Sequence, residues 1–362
     1  HHSRNTEALS CLSQVLLLDK KEAEAERVLT EAASINSELP SVYRNKARLL
    51  LKQSKRAAAL EQAQLGCKKS PGDSESLLLL AACLGANQRD PEALRIIEKI
   101  LEAKSNYAEA YANRALIKLR AKDTTGAIED AEMAVSLKPH LTQMWQLLSS
   151  LHYQANSLSD AIEALRSAHK NEPENTAFMV QLGEFLRQDN KVREAINIFE
   201  QATELAPKNV NVWINLGAAL QQEQKFADAK KVYEKALALN SKSAAILSNL
   251  GALAIDAGEL EAALHYFENT LEIEPDFAEA HYNLGNTLKE LSRLDEAEAS
   301  YNHAIALKPD YVEVHDHLGV ILQNKGKFDE AEVCFKKWSS LKPNRIAKTV
   351  SRGSLLFNKG FF

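Results

Sequence analysis

The chain has 362 residues, of which 45% are hydrophobic and 26% are charged, and its formal net charge at pH 7 is −5. This acidic balance argues against nucleic acid as a partner, because a phosphate-binding surface needs clustered Lys and Arg to displace counterions. No apolar run approaches the roughly 18–20 residues of a membrane span, which argues against membrane insertion.

Motifs of enzymes and metal sites are missing from the sequence. Four cysteines are scattered along it without C-x-x-C spacing, which suggests neither zinc nor a disulfide framework; they are Cys11, Cys67, Cys83 and Cys334. There is no G-x-S-x-G motif, no P-loop, no H-E-x-x-H motif and no glycine-rich phosphate loop. We therefore predict a cytoplasmic protein that is not an enzyme and binds no cofactor.

From the N-terminus onward, a small residue returns every 34 positions. These residues are Ser13, Ala47, Ala81, Ala115, Ser149, Gly183, Gly217, Gly251, Gly285, Gly319 and Gly353. An unbroken period of this length is typical of helix-turn-helix repeats that stack into a solenoid. Residues 1–5 precede the first repeat, and His1 and His2 resemble the remnant of an expression tag.

A second column of residues follows the small residue by twelve positions and is always alanine. Its members are Ala25, Ala59, Ala93, Ala127, Ala161, Ala195, Ala229, Ala263, Ala297 and Ala331. A methyl group fits where two helices cross closely, whereas a larger side chain costs roughly 1–3 kcal/mol. Proline ends the second helix in most repeats, as at Pro207 and Pro309, because it cannot continue a helix interior.

These columns together resemble a known family. The segments from Trp213 through Gly217 to Tyr233, and from Gly285 through Tyr301 to Pro309, look like tetratricopeptide repeats. The resemblance implies an all-α fold, a right-handed superhelical solenoid of about ten and a half repeats. Ten repeats would form one continuous body over residues 6–345, and residues 346–362 would be the first helix of an eleventh.

The N-terminal repeats follow the pattern less closely than the others. Arg114 stands where the pattern has leucine, and Lys118 stands where it has a large apolar residue. These departures leave the fold prediction intact but make the local surface harder to predict.

The resemblance implies that the first helix of each repeat lines a concave groove. Positions three before, two before, one after and five after the small residue would then face a ligand. The residues two before it are mostly amides, with leucine at positions 79 and 147: Asn45, Asn113, Gln181, Asn215, Asn249, Asn283 and His317. Asn286 comes one position after its small residue and belongs to the same predicted groove.

An amide side chain offers both a donor and an acceptor, which matches one peptide unit of an extended chain. The row therefore predicts a surface that binds a disordered segment by its backbone. It is similar to the asparagine ladder of the O-GlcNAc transferase repeats. The alternative is that asparagine is simply tolerated on a solvated helix face.

Charge is distributed unevenly along the predicted groove. Arg44, Arg48 and Lys52 are four residues apart, so they lie on one stripe of a helix. This stripe could bind an acidic segment or a carboxylate, or it could be neutralised by Asp or Glu of adjacent helices. Toward the other end, acidic residues occupy the inner positions, namely Asp256, Glu290 and Asp316.

Histidines near the C-terminal end are the nearest approach to a metal site. His315 and His317 lie about 200° apart on a helix, so they cannot bind one ion together. His281 and His315 occupy the same column of successive repeats, and we expect their rings to stack. The sequence thus predicts no metal site.

Residues 358–362 repeat the turn at 324–328 and stop before a second helix, so we expect the parent protein to continue. The predicted function is a protein-interaction scaffold that binds a partner protein or an extended peptide, and a homo-oligomer is compatible with it. The alternative is the substrate-recruiting arm of a larger enzyme, similar to a glycosyltransferase or sulfotransferase, with its catalytic domain outside this chain.

Overall fold

The computed structural model describes residues 2–19, 21–36 and 38–341, and every regular element in these residues is an α-helix. The chain divides into two compact units, and the division between Phe178 and Met179 falls inside α11. The helices of the N-terminal unit are α1 (His2–Leu18), α2 (Glu22–Ile35), α3 (Pro40–Lys52), α4 (Arg56–Lys69), α5 (Ser74–Ala86), α6 (Asp90–Ala103), α7 (Ala108–Arg120), α8 (Thr124–Leu137), α9 (Thr142–Gln154) and α10 (Leu158–Asn171). Helix α11 (Thr176–Gln188) is followed in the C-terminal unit by α12 (Val192–Leu205), α13 (Val210–Gln222), α14 (Phe226–Leu239), α15 (Ala244–Asp256), α16 (Leu260–Ile273), α17 (Ala278–Glu290), α18 (Leu294–Leu307), α19 (Val312–Asn324) and α20 (Phe328–Leu341).

The helices form pairs, and each pair is one 34-residue repeat, so the predicted all-α solenoid is confirmed over the described residues. Residues 346–362, the predicted first helix of an eleventh repeat, lie outside these residues. Helix α1 begins at His2, so residues 2–5 of the predicted lead-in are helical.

The turn inside each pair ends the first helix with a left-handed residue. Gln224 has φ +61° and Gly258 has φ +77°, and the same position is left-handed from the second repeat to the tenth. The next N–H then bonds to a carbonyl five residues back, as from Lys225 to Leu220 at 2.9 Å. This is the hydrogen bond of a Schellman cap, which satisfies a carbonyl at the helix end.

The alanine column packs as predicted, since all ten alanines are fully buried. A second contact accompanies it in the C-terminal unit, where each glycine of the small-residue column within the described residues lies under an aromatic ring of the paired helix. A Cβ added at Gly251 would lie 2.7 Å from the Phe267 ring, and one at Gly217 would lie 2.6 Å from Tyr233. In the N-terminal unit, Ala81 occupies this column, and the residue at the aromatic position is Ile97. The glycine therefore makes room for the ring.

A Gly251→Ala variant is expected to destabilise the protein, although alanine normally favours a helix by about 1 kcal/mol over glycine. Overpacking against Phe267 costs about 1–3 kcal/mol and outweighs that gain. Gly66→Ala is the matched control, because its Cβ would meet Tyr43 at an ordinary 3.4 Å. Urea denaturation should show a lower free energy of unfolding for the first variant and an equal or higher one for the second. Stabilisation of both would contradict the proposed contact.

The irregular residues of the fourth repeat form a buried ion cluster. Arg114 donates two hydrogen bonds to the Asp130 carboxylate at 2.8 and 2.6 Å, and Lys118 lies 2.9 Å from the same group. The Asp130 side chain is only 5% exposed. Arg114 and Lys118 can therefore stand where the pattern has apolar residues, because Asp130 on the paired helix forms ion pairs with both.

Candidate functional site

Successive odd-numbered helices form one face of each unit, which we call the odd-helix face. Helix α3 contacts both α1 and α5, and α15 contacts both α13 and α17. The small residue of each described repeat lies on an odd-numbered helix. The predicted inner positions are within five residues of it, so they lie on the same helices. Each odd-helix face therefore carries the candidate site residues of its own unit.

Three cavities open on this face in the N-terminal unit. The first has a volume of 440 Å³ and contains Arg44, Asn45 and Arg48 in its lining. A second, of 220 Å³, shares Arg48 and is bordered both by apolar groups such as Leu78 and Leu79 and by the carboxylates of Glu75 and Glu109. Asn113 lines this second cavity and a third of 450 Å³. The inner positions of three successive repeats thus border connected depressions.

Asn45 does not fit the predicted amide row. It is 3% exposed, and its Nδ2 donates to the Ser10 carbonyl at 2.8 Å and lies 3.1 Å from the Ser10 and Ser13 hydroxyls. Its Oδ1 accepts a hydrogen bond from Arg48 at 3.2 Å. Both ends of this amide are used inside the protein, so Asn45 has a structural role and cannot bind a ligand backbone.

The basic stripe is neutralised at its first member. Arg44 forms ion pairs with Asp73 and with Glu75, the latter at 3.2 Å. Burial alone would raise the pKa of Asp73, but hydrogen bonds from Ser76 and the charge of Arg44 lower it below its usual value. For Arg44, the structure therefore matches the alternative of a paired, neutralised charge.

The other two members of the stripe, Arg48 and Lys52, form no ion pair among the described residues. Lys52 is exposed and donates to the Leu17 carbonyl near the end of α1. Arg48 is held by Asn45, and among the described residues no carboxylate pairs with it. Arg48 is thus a fixed, unpaired cation at the border of two cavities.

The amides farther along the chain differ in what they leave free. Asn113 donates to the Glu109 carbonyl of its own helix at 2.8 Å. Gln181 is half-buried on α11. Asn215 donates to Glu184 Oε1 at 3.1 Å. Asn249 and Asn283 are half-buried, and their amides have no hydrogen-bond partner among the described residues.

Asn286 and His317 form a small hydrogen-bond network instead of a free surface. The Tyr301 hydroxyl donates to Asn286 Oδ1 at 2.7 Å, and His317 Nδ1 lies 2.7 Å from the same oxygen. An oxygen can accept from both neighbours, so the arrangement assigns the imidazole proton to Nδ1. Burial and the nearby Lys289 charge lower the pKa of His317, against the opposite effect of Asp316 and Glu313.

The histidines of the last repeats act as structural hydrogen-bond donors. His281 and His315 each place Nε2 2.9 Å from a proline carbonyl six residues earlier. Trp145 and Trp213 make the same bond at the same position of their repeats. His281 stacks on His303, with ring centroids 5.2 Å apart, and not on His315 as expected from the sequence. Within the described ranges, no group of three His, Cys, Asp or Glu side chains could hold a metal ion.

The predicted acidic positions are partly engaged by neighbouring side chains. Asp256 accepts a hydrogen bond from Gln221 at 2.7 Å, and Glu290 lies 3.1 Å from Lys289. Asp316 is half-buried. These residues still give the odd-helix face of the C-terminal unit several carboxylates.

Comparisons with known proteins match this repeat geometry. Two family models, both described as tetratricopeptide repeat, match the chain, one at residues 152–220, 186–253 and 254–316 and the other at residues 312–345. Together these matches extend over residues 152–345, which is more than half of the chain. The chain belongs to the tetratricopeptide repeat family. No curated protein sequence matches it.

Several solved structures are similar to parts of this chain. Two crystal structures of MamA are each 24% identical to this chain in sequence. One has a TM-score of 0.41, and its match covers 46% of this chain and 98% of the MamA chain. The other has a TM-score of 0.40, and its match covers 49% of this chain and 99% of the MamA chain. YrrB, described as a TPR protein with an unusual peptide-binding site, is 19% identical, with a TM-score of 0.40, and covers 56% of this chain and 100% of its own. None of the described helices is long and apolar enough to cross a membrane.

The odd-helix faces also carry candidate site residues that the sequence alone did not indicate. Glu75 and Tyr107 border the 220 Å³ cavity beside Arg48. Tyr282 lies at an inner position of α17, and its ring contacts Tyr311 and His317. Position 282 is one of the predicted inner positions, but an aromatic ring there carries neither the amide nor the charge from which binding residues are predicted.

Proposed function

We propose that this protein is a protein-interaction scaffold that binds an extended segment of a partner on its odd-helix faces. The face in the N-terminal unit has connected depressions, and the face in the C-terminal unit has free amides at Asn249 and Asn283. Extended chains carry unpaired backbone donors and acceptors, so such amides can bind them with weak demands on sequence.

The position of Arg48, whose guanidinium has no carboxylate partner among the described residues, supports this proposal most directly. Its guanidinium is positioned by Asn45, which is itself fixed by Ser10 and Ser13, and it carries an unpaired charge. A charge-assisted hydrogen bond from such a group to a carboxylate is stronger than a neutral one. We infer that Arg48 binds an acidic side chain of the partner.

The cavity beside Arg48 suggests which residue type neighbours the acidic one in the ligand. Leu78, Leu79 and Ala82 border this 220 Å³ space together with Tyr107. An apolar side chain placed there would be removed from water at about 25 cal/mol per Å² of buried area. The proposed ligand of the N-terminal unit is therefore an extended segment with an acidic residue next to a leucine-like residue.

Both matching family models describe the repeat, and neither describes a catalytic domain. The proposal accordingly assigns no reaction to the residues of this chain. If the protein serves as the recruiting arm of a larger enzyme, which is the alternative that the sequence leaves open, the same faces would hold the substrate protein.

An Arg48→Glu variant tests the proposed function. It is expected to weaken binding of a fluorescein-labelled Gly/Ser peptide with a central Glu-Leu pair by about tenfold or more, because one charge-assisted hydrogen bond contributes about 1.5–3 kcal/mol. Fluorescence anisotropy measures the affinity, which should also fall for the unmodified protein as salt rises.

Lys99→Glu is the matched control for this experiment, because Lys99 is exposed on the even-numbered helix α6. It makes the same charge change away from the odd-helix face and should leave the affinity within twofold. If both variants lost the same affinity for the peptide, the change in net charge alone would explain the result. If Arg48→Glu bound the peptide as tightly as the unmodified protein, Arg48 would not be part of the binding site.

A further inference from the structure

An aromatic cluster lies where the ninth and tenth repeats meet. The Tyr282 ring centroid is 5.2 Å from that of Tyr311, 5.4 Å from that of His317 and 6.2 Å from that of Tyr301. Tyr301 is fully buried, whereas the other three rings are half-buried. The cluster thus joins the core of the repeat to the odd-helix face.

The packing of the repeat does not require a ring at position 282. The corresponding inner positions of the third to eighth repeats carry small, polar or aliphatic side chains, namely Leu78, Ala112, Gln146, Val180, Ile214 and Ser248. Those repeats form the same helix pairs as the ninth. Tyr282 packs against the core of the last two repeats, but a ring at this position is not a requirement of the repeat fold.

Hydrogen bonds fix the polar groups of the cluster. Asn286 Oδ1 accepts from Tyr301 and from His317 Nδ1, so the lone pair of the imidazole is on Nε2, which has no hydrogen-bond partner within the described ranges. The same bonds use the oxygen of Asn286, so this amide can only donate to a ligand. The cluster accordingly offers ring faces and one nitrogen acceptor, held by neighbouring side chains.

The charge around the rings is negative. Burial, and then the charges of Glu279 and Glu313 together with Tyr282, raise the pKa of Tyr311 to about 12, so these carboxylates lie near the phenol. Asp316 is close enough to affect His317. Lys289 of α17 is a nearby cation, and its ammonium lies 3.1 Å from Glu290.

Tyr311 already attracts a cation of its own chain. The Lys308 ammonium lies over its ring, 4.8 Å from the centroid. Tyrosine faces bind ammonium and guanidinium groups through the negative face of the ring, and nearby carboxylates strengthen that attraction. Of these two rings, Tyr282 is the one on the odd-helix face that Lys308 does not cover.

We propose that Tyr282, Tyr311 and His317 bind a cationic side chain, arginine or lysine, of the partner segment. This inference rests on the proposed scaffold function and adds the chemistry that the C-terminal unit recognises. The guanidinium or ammonium would lie against the Tyr282 ring, donate to His317 Nε2 and be attracted by Glu279 and Asp316.

The test uses a Gly/Ser-flanked peptide with one central arginine, a second peptide with lysine, and a third with citrulline, which keeps the shape of arginine without its charge. Two-dimensional NMR of the full chain follows the His317 ring signals during titration. Arginine or lysine is expected to bind at least fivefold more tightly than citrulline, and whichever binds more tightly identifies the group. Equal binding of all three peptides, or no shift of the His317 signals, would overturn the proposal.

Variants separate the ring from the charge. Tyr282→Leu should reduce arginine-peptide binding at least fivefold, Tyr282→Phe should retain it, and circular dichroism verifies that both are folded. Glu279→Gln should weaken binding, whereas Glu272→Gln on the even-numbered helix α16 should not. Unchanged binding by Tyr282→Leu would overturn the role of the ring.

The proposal also predicts how binding of the cationic peptide changes with pH. His317 must be neutral to accept a hydrogen bond from the ligand, so binding should persist above its pKa and weaken as pH falls through it. Because burial and Lys289 lower that pKa, against Asp316 and Glu313, the loss should occur below the range of an exposed histidine. The glutamate–leucine peptide and Arg48→Glu test the N-terminal unit separately, so a failure here would leave the proposed function standing.

Discussion

An Asp130→Ala variant is expected to lose about 3 kcal/mol of folding free energy, the low end of the cost of breaking a buried ion pair. The substitution leaves Arg114 and Lys118 without the carboxylate that both contact, while their side chains remain only 23% and 25% exposed. The low end applies because both cations still reach solvent. Urea denaturation should report the loss as a lower midpoint.

The control is a triple variant, Arg114→Leu, Lys118→Leu and Asp130→Ala, which replaces the whole cluster by apolar groups. It returns both cationic positions to the apolar residues that the repeat pattern has there. Replacing a buried ion cluster by apolar side chains is often neutral or stabilising, so the triple variant should be more stable than Asp130→Ala alone. Equal instability of the two would mean that the fourth repeat needs the charges themselves.

The period of the sequence was sufficient to predict the fold, because each element recurs at a fixed place. The alanine column predicts the close helix crossings, and all its members are buried. The pairing of Gly251 with the Phe267 ring was not predicted as a contact, although both columns are visible in the sequence. The glycine and the aromatic residue are 16 positions apart and lie on the two different helices of a pair. The geometry of the turn between these helices decides which of their side chains face each other.

The candidate site was less predictable, because each side chain depends on residues of neighbouring repeats. Asn45 has the same column as Asn249, but Ser10 and Ser13 of the first repeat take up its amide. Arg44 looks like a free cation on its own helix, and Asp73 and Glu75 of the next repeat neutralise it. A column gives the position of a side chain and not its partners.

Hydroxyl groups in the small-residue column would have been the signal for Asn45. Ser13 occupies that column and its hydroxyl lies 3.1 Å from the Asn45 amide nitrogen, whereas Gly217, Gly251 and Gly285 farther along have no side chain that could accept. Comparing Asn45 with the small residue of the preceding repeat would therefore have indicated its structural role, but the same comparison misses Asn215, which is engaged by Glu184.

Replacing both Asn249 and Asn283 by alanine is expected to weaken binding of an extended partner segment at least tenfold. They occupy the same column of successive repeats, on helices α15 and α17 that contact each other. Each free amide can make two hydrogen bonds to a peptide unit, and each bond contributes about 0.5–1.5 kcal/mol. Because the contacts would be to backbone atoms, the loss should be similar for peptides of different sequence.

Two control variants make this last prediction specific. Asn302→Ala removes an exposed asparagine on the even-numbered helix α18 and should leave affinity unchanged. Asn45→Ala should lower the free energy of unfolding instead, since it removes the buried hydrogen bonds of Asn45 to Ser10 and Ser13. Isothermal titration calorimetry with several peptides measures the affinities. If the Asn249→Ala/Asn283→Ala variant stayed within twofold of the unmodified protein for every peptide, backbone recognition by these amides would be rejected, and the even-numbered helices would become the candidate binding surface.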